Sequence, residues 1–175
     1  MRDVTCACGG CDGGGTTQRI LVAGIGNIFL GDDGFGPEVL RHVGSTEPDV
    51  QLTDYGIRGM HLAYDLLAGW DALVLIDALP CRGAPGTVHV FEADHQSLSA
   101  AVGLDAHAMD PAAVFASLNA LGGTAPYTVV VGCEVADIED RMGLSAAVAA
   151  AVPAAARTVE GVVTELRNRI PAREG

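Results

Sequence analysis

Residues 72–79 read ALVLIDAL, one carboxylate in an otherwise apolar run. A strand with that composition has no face to give to water, so it belongs inside a sheet that is covered on both sides. Two covering layers need a chain of some length, and 175 residues suffice for one domain with a real core. The rest of the chain offers the parts. Residues 20–23 form a short apolar run ending in Gly24-Ile25-Gly26-Asn27, a buried parallel strand and its turn. Residues 37–43 and 60–67 have helical spacing, and 50–54 read as a weak strand between them. Residues 87–91, TVHVF, alternate like a hairpin partner or an edge strand. A helix over 111–121, a buried strand over 127–132 and a long Ala/Val-rich helix over 144–170 follow, the last kinked or restarted at Pro153. Strands alternating with helices predict a three-layer α/β/α sandwich of about five mostly parallel strands, with 72–79 near the centre. Residues 1–17 read as a flexible Gly- and Cys-rich leader, 18–170 as the single domain and 171–175 as a tail.

Composition narrows the function. Ten basic residues face 22 acidic ones, a formal charge of −12, which argues against nucleic-acid and membrane-surface binding. Every basic residue is Arg, so a Walker-type phosphate loop, a Schiff-base enzyme and a Ser–Lys dyad are all excluded. Five cysteines is an odd number, and Cys6, Cys8 and Cys11 crowd into the leader, so a disulfide scaffold is not expected. Their C-x-C-x-x-C spacing lacks the fourth ligand of a structural zinc site. No signal-peptide pattern opens the chain, and the Ala-rich stretch near 145–156 is interrupted by Pro153, short of the roughly 18 apolar residues of a spanning helix. The expectation is a soluble cytoplasmic protein.

Three places carry candidate chemistry. The loop after the first strand, GIGNIFLGDDGFG over 24–36, suggests a dinucleotide turn but lacks its spacing, and Asp32 and Asp33 would repel a pyrophosphate. A carboxylate pair there suits a cation. Asp77 ends the most buried strand, where ligands of open α/β sheets gather; taken alone, such an Asp more often caps a turn. His107 lies in the long connection before the 111–121 helix, and loops of this kind carry function. His42, His61, His89 and His95 sit in helical, strand or polar segments and are set aside. Two carboxylates and an imidazole form an O/N donor set for a divalent transition metal. No G-x-S-x-G elbow is present, and Cys81 has no evident base beside it.

In that order, ILVAGIGNIFLGDDGFGPEVL, LVLIDAL and His107 ahead of a helix, the chain resembles the nickel–iron hydrogenase maturation endopeptidases from Arg19 to about Ile170. The first motif is Gly-x-Gly-Asn, a four-residue spacer, Asp-Asp-Gly-x-Gly and a Pro opening a helix. Gly59-Met60 and Pro85-Gly86 also fit. The resemblance implies a phosphorylase/hydrolase-like fold and an endopeptidase that removes the C-terminal extension of a hydrogenase large-subunit precursor after nickel insertion. It implies that Asp33, Asp77 and His107 recognise nickel, with the metal expected in the substrate rather than held by the free enzyme. Some members of the family carry Glu where this chain has Asp33. Two other readings stay open: a non-catalytic escort that binds the same precursor, and a small-molecule-binding α/β module.

Overall fold

A computed structural model describes residues 18–44, 47–93 and 111–169. The elements in chain order are β1 (Ile20–Ile25), a 3-10 turn (Gly31–Gly34), α1 (Phe35–His42), β2 (Val50–Gly56), α2 (Gly59–Leu66) and β3 (Ala72–Leu79). They continue with β4 (Val88–Ala93), α3 (Pro111–Ala120), β5 (Tyr127–Glu134) and α4 (Ala146–Arg169). One sheet of order β2-β1-β3-β5-β4 holds them, parallel throughout except for β4, which runs antiparallel at the edge beside β5. The ALVLIDAL strand is its middle member, as its composition requires.

Alternation along the strands sorts two cores. Ile20, Val22, Val74 and Ile76 face α1 and α4, while Leu21, Ala23, Leu73 and Leu75 face α2 and α3. The three-layer sandwich follows from that parity. Helix α1 begins two residues before the expected start, because Phe35 and Gly36 are buried against the sheet and Pro37 suits a first turn. At Gly36 the helix lies so close to the strand ends that a Cβ would collide with the carbonyl oxygens of Ile25 and Ile76.

Two expectations are corrected. Helix α4 does not restart at Pro153 but continues through it. The ring sits on the exposed side of the helix, so the carbonyl it leaves without a partner faces water rather than the core. Uninterrupted, α4 is also long and apolar enough to cross a membrane by length and composition. Its stripe Val148, Val152, Ala155, Val159, Val163 and Leu166 is instead buried against the sheet, which is the pattern of a core helix.

Candidate active site

The chain leaves β1 through α1 to reach β2 on one side, then returns through α2 to β3 on the other. The carboxyl ends of β1 and β3 therefore flank the point where strand order reverses, the place where open α/β sheets take ligands. Asp33 follows β1 and Asp77 lies near the end of β3, so adjacent parallel strands bring both residues to this edge of the sheet. Asp33 is half-buried. Its Oδ2 accepts the Asn27 N–H at 2.6 Å, and Gly26 (φ 126°) lets the turn fold back against the Asp33 carbonyl, where a Cβ would not fit. Asp77 Oδ1 accepts the N–H of the next residue, Ala78, at 2.8 Å, within β3 itself.

Asp32 turns the other way, as adjacent residues must. It has no exposed surface, and its carboxylate gathers the N–H groups of Ala136 (2.8 Å), Asp137 (3.3 Å) and Ser145 (2.6 Å) with the Ser145 hydroxyl (2.9 Å). Those donors belong to the loop after β5 and to the residue just before α4, not to the first loop itself. Ser145 Oγ also receives the Val148 N–H, which makes it the N-cap of α4. Burial raises the Asp32 pKa, but the bonds from Ser145, Ala136 and Asp137 outweigh it and hold the carboxyl below its ordinary value. Arg141 closes the seam. Its N–H donates to Phe29, its carbonyl accepts from Gly31, and its guanidinium lies 3.2 Å from Asp137. The Asp33 loop is thus stitched to a segment that comes much later in the chain.

A second buried carboxylate went unnoticed in the sequence. The β3–β4 connection, residues 80–87, crosses the carboxyl end of β5, and Glu134 there is nearly buried. Glu134 Oε2 accepts the N–H groups of Arg82 (2.8 Å) and Ala84 (3.1 Å), while Oε1 lies 2.9 Å from His89 Nε2. The Arg82 N–H, then His89, then the Ala84 N–H lower the Glu134 pKa. Sequence could have flagged only a Glu at a strand end; its partner is 45 residues away. Cys133 beside it is buried, which pushes its thiol up to about 11, well away from a nucleophile's range. Cys81 is exposed in the crossing loop.

His107 lies outside the described residues, as do Cys6, Cys8 and Cys11. Helix α3, whose first residue is four places after His107, packs on the same sheet face to which the parity of β3 assigns Asp77. Among the described residues, no three His, Cys, Asp or Glu side chains converge to hold a metal ion. A groove of about 570 Å³ adjoins the Asp33 loop, walled by Ile28, Gly34, Met142, Leu144 and Val152.

A family model for hydrogenase maturation proteases matches residues 38–162. The chain is 31% identical over 160 residues to the hydrogenase expression/formation protein HupD of Rhizobium leguminosarum bv. viciae, spanning 89% of this chain and 79% of that protein. It is 30% identical over 155 residues to the hydrogenase 2 maturation protease of Escherichia coli K12, spanning 86% and 92%. The solved structure of the E. coli hydrogenase maturating endopeptidase HybD superposes with a TM-score of 0.74 at 27% identity, covering 85% of this chain and 93% of that one.

Proposed function

Because the chain belongs to the hydrogenase maturation protease family, we propose that it removes a C-terminal extension from a nickel–iron hydrogenase large-subunit precursor once nickel is in place. The observation that carries this reading is the delivery of Asp33 and Asp77 to one strand-order reversal by neighbouring parallel strands. In this reading nickel is part of the substrate. Asp33, Asp77 and His107 bind it through two oxygens and one imidazole nitrogen, a donor set suited to a divalent transition metal. Three ligands from this chain leave positions for those of the precursor, so only a loaded precursor completes the site. The metal then fixes the register in which the tail lies across the sheet edge, and positioning of that kind is a large part of catalysis. We place the reaction in the cytoplasm, with Cys81 and Cys133 as free thiols.

The test is a cleavage assay on purified precursor, with and without nickel, followed by intact mass. The wild-type protein should shorten only the loaded precursor, and Asp33→Ala or Asp77→Ala should abolish the mass change. Cleavage of nickel-free precursor at an equal rate would overturn the reading, as would an Asp77→Ala variant that retains wild-type rate. A wild-type protein that retains the loaded precursor uncut would instead be an escort.

A further inference from the structure

The pair formed by Glu134 and His89 has more hydrogen bonding than a loop anchor requires. The crossing segment 80–87 is already held by Glu134 Oε2, by the Gly86 N–H on the Glu134 carbonyl and by the Glu134 N–H on the Thr87 carbonyl. Among the described residues, the second carboxylate oxygen is left for His89 alone. That imidazole is 43% exposed while the carboxylate behind it is 6% exposed, so a buried acceptor holds an accessible ring in one orientation. A carboxylate can only accept, so Nε2 carries the shared proton and Nδ1 is the basic nitrogen. Among the described residues Nδ1 has no hydrogen-bond partner. A base oriented by a fixed third group is the arrangement that activates a nucleophile in acyl transfer.

Register puts this base beside the site. Asp77 pairs with Gly132, and Gly132 pairs with His89, so the three form one row across the sheet. Residues opposite one another share a face, and two strand spacings separate Asp77 from His89 by about 10 Å. Gly132 presents no side chain between them. The Leu79 side chain lies over it instead, in the space that a Cβ would take, and forms an apolar floor. An extended peptide anchored at Asp77 covers that distance in roughly three residues.

We propose that His89, held by Glu134, is the general base for cleavage of the precursor tail. This rests on the peptidase reading above. Nδ1 removes a proton from a water molecule as the water oxygen bonds to the scissile carbonyl carbon. When the tetrahedral intermediate collapses, the C–N bond breaks and the imidazolium returns the proton to the leaving nitrogen. One water is consumed, and one carboxyl and one amine are formed. Nickel bound at Asp33 and Asp77 sets which bond lies over Leu79, so recognition and proton transfer fall to different side chains.

His89→Gln separates the two. Its amide can still donate to Glu134, but it has no basic nitrogen. With nickel-loaded precursor, kcat should fall by about 10² to 10⁴ while KM is unchanged, the range for loss of a general base. His89→Ala should lose activity similarly and regain part of it with added imidazole. Circular dichroism should match wild type for both, and thermal unfolding should match for His89→Gln; His89→Ala leaves Glu134 Oε1 without this partner and should melt lower while still folding. His89→Gln cleaving at wild-type rate would overturn the assignment. So would a folded His89→Ala that imidazole does not rescue, because His89 would then only anchor the loop. Wild type and Asp77→Ala run alongside, so a precursor that wild type itself leaves intact refutes the peptidase reading and this one with it, whereas normal cleavage by His89→Gln refutes this one alone.

Discussion

Asp32 and Asp33 carry the same side chain in consecutive positions, and what separates them is the company each keeps. Asp33 takes one N–H from its own turn and stays half-open, while Asp32 is sealed under four donors from the other end of the chain. Asp32→Ala should cost on the order of 3 kcal/mol in urea unfolding, because it strands several buried N–H groups at once. The same carboxylate shapes the acid limb of stability. Asp32 and Glu134 both have pKa values lowered by folding, so the unfolded chain binds more protons than the native one in acid. Their contribution is complete above the ordinary carboxylate range near pH 4 and is lost as pH falls below it, toward the folded values. Wild type should therefore lose stability more steeply than Asp32→Asn below about pH 4. Read as text, the Asp-Asp pair is a place for a cation, and the resemblance singles out Asp33. The text does not say who holds Asp32, since the donors at 136, 137 and 145 are brought near only by the finished sheet. His89 and Glu134 were illegible for the same reason.

At the scale of elements, local pattern was a good guide wherever local forces decide. The 72–79 strand has the expected bounds, because an apolar run has nowhere else to go, and 111–121 differs from α3 by one residue. A restart at Pro153 was the wrong alternative because the local rule concerns a lost hydrogen bond, and its cost depends on which side of the helix the orphan carbonyl faces. The same contrast predicts opposite signs for two glycine replacements in helices. Gly36→Ala should destabilise strongly, since its Cβ meets backbone carbonyls of β1 and β3 that cannot retreat, and the shift of α1 would carry Asp33 with it. Gly161→Ala meets nothing within 4 Å and should stabilise by about 0.5 to 1 kcal/mol, the helix-propensity difference. Thermal unfolding of the pair reads both signs. A Gly36→Ala protein as stable as wild type would mean that α1 does not press on the sheet as described.

For the whole molecule, the alternation of elements was enough to predict the layers but not the strand order. TVHVF was open to a hairpin or an edge role; it is an edge strand, reached by a connection that steps over the place of β5. No local signal specifies such a step, because its reward is pairing with a strand not yet reached in the sequence. The consequence is testable by truncation. A fragment of residues 1–126 lacks β5 and α4, leaving β3 without one neighbour and its α4-facing side uncovered, so it should show no cooperative melting transition. A cooperative melt of that fragment would mean the first three strands close a core of their own. The step over β5 also imposes a timetable on synthesis. Ala72 finds its partner on that side only at Tyr127. At the pace of a ribosome that gap is roughly 3 to 11 seconds, against microseconds for a helix to form. Throughout that interval the most apolar strand of the nascent chain is open along one edge, which makes it the segment a trigger-type chaperone would be expected to shelter and the place where two unfinished chains could pair with each other instead.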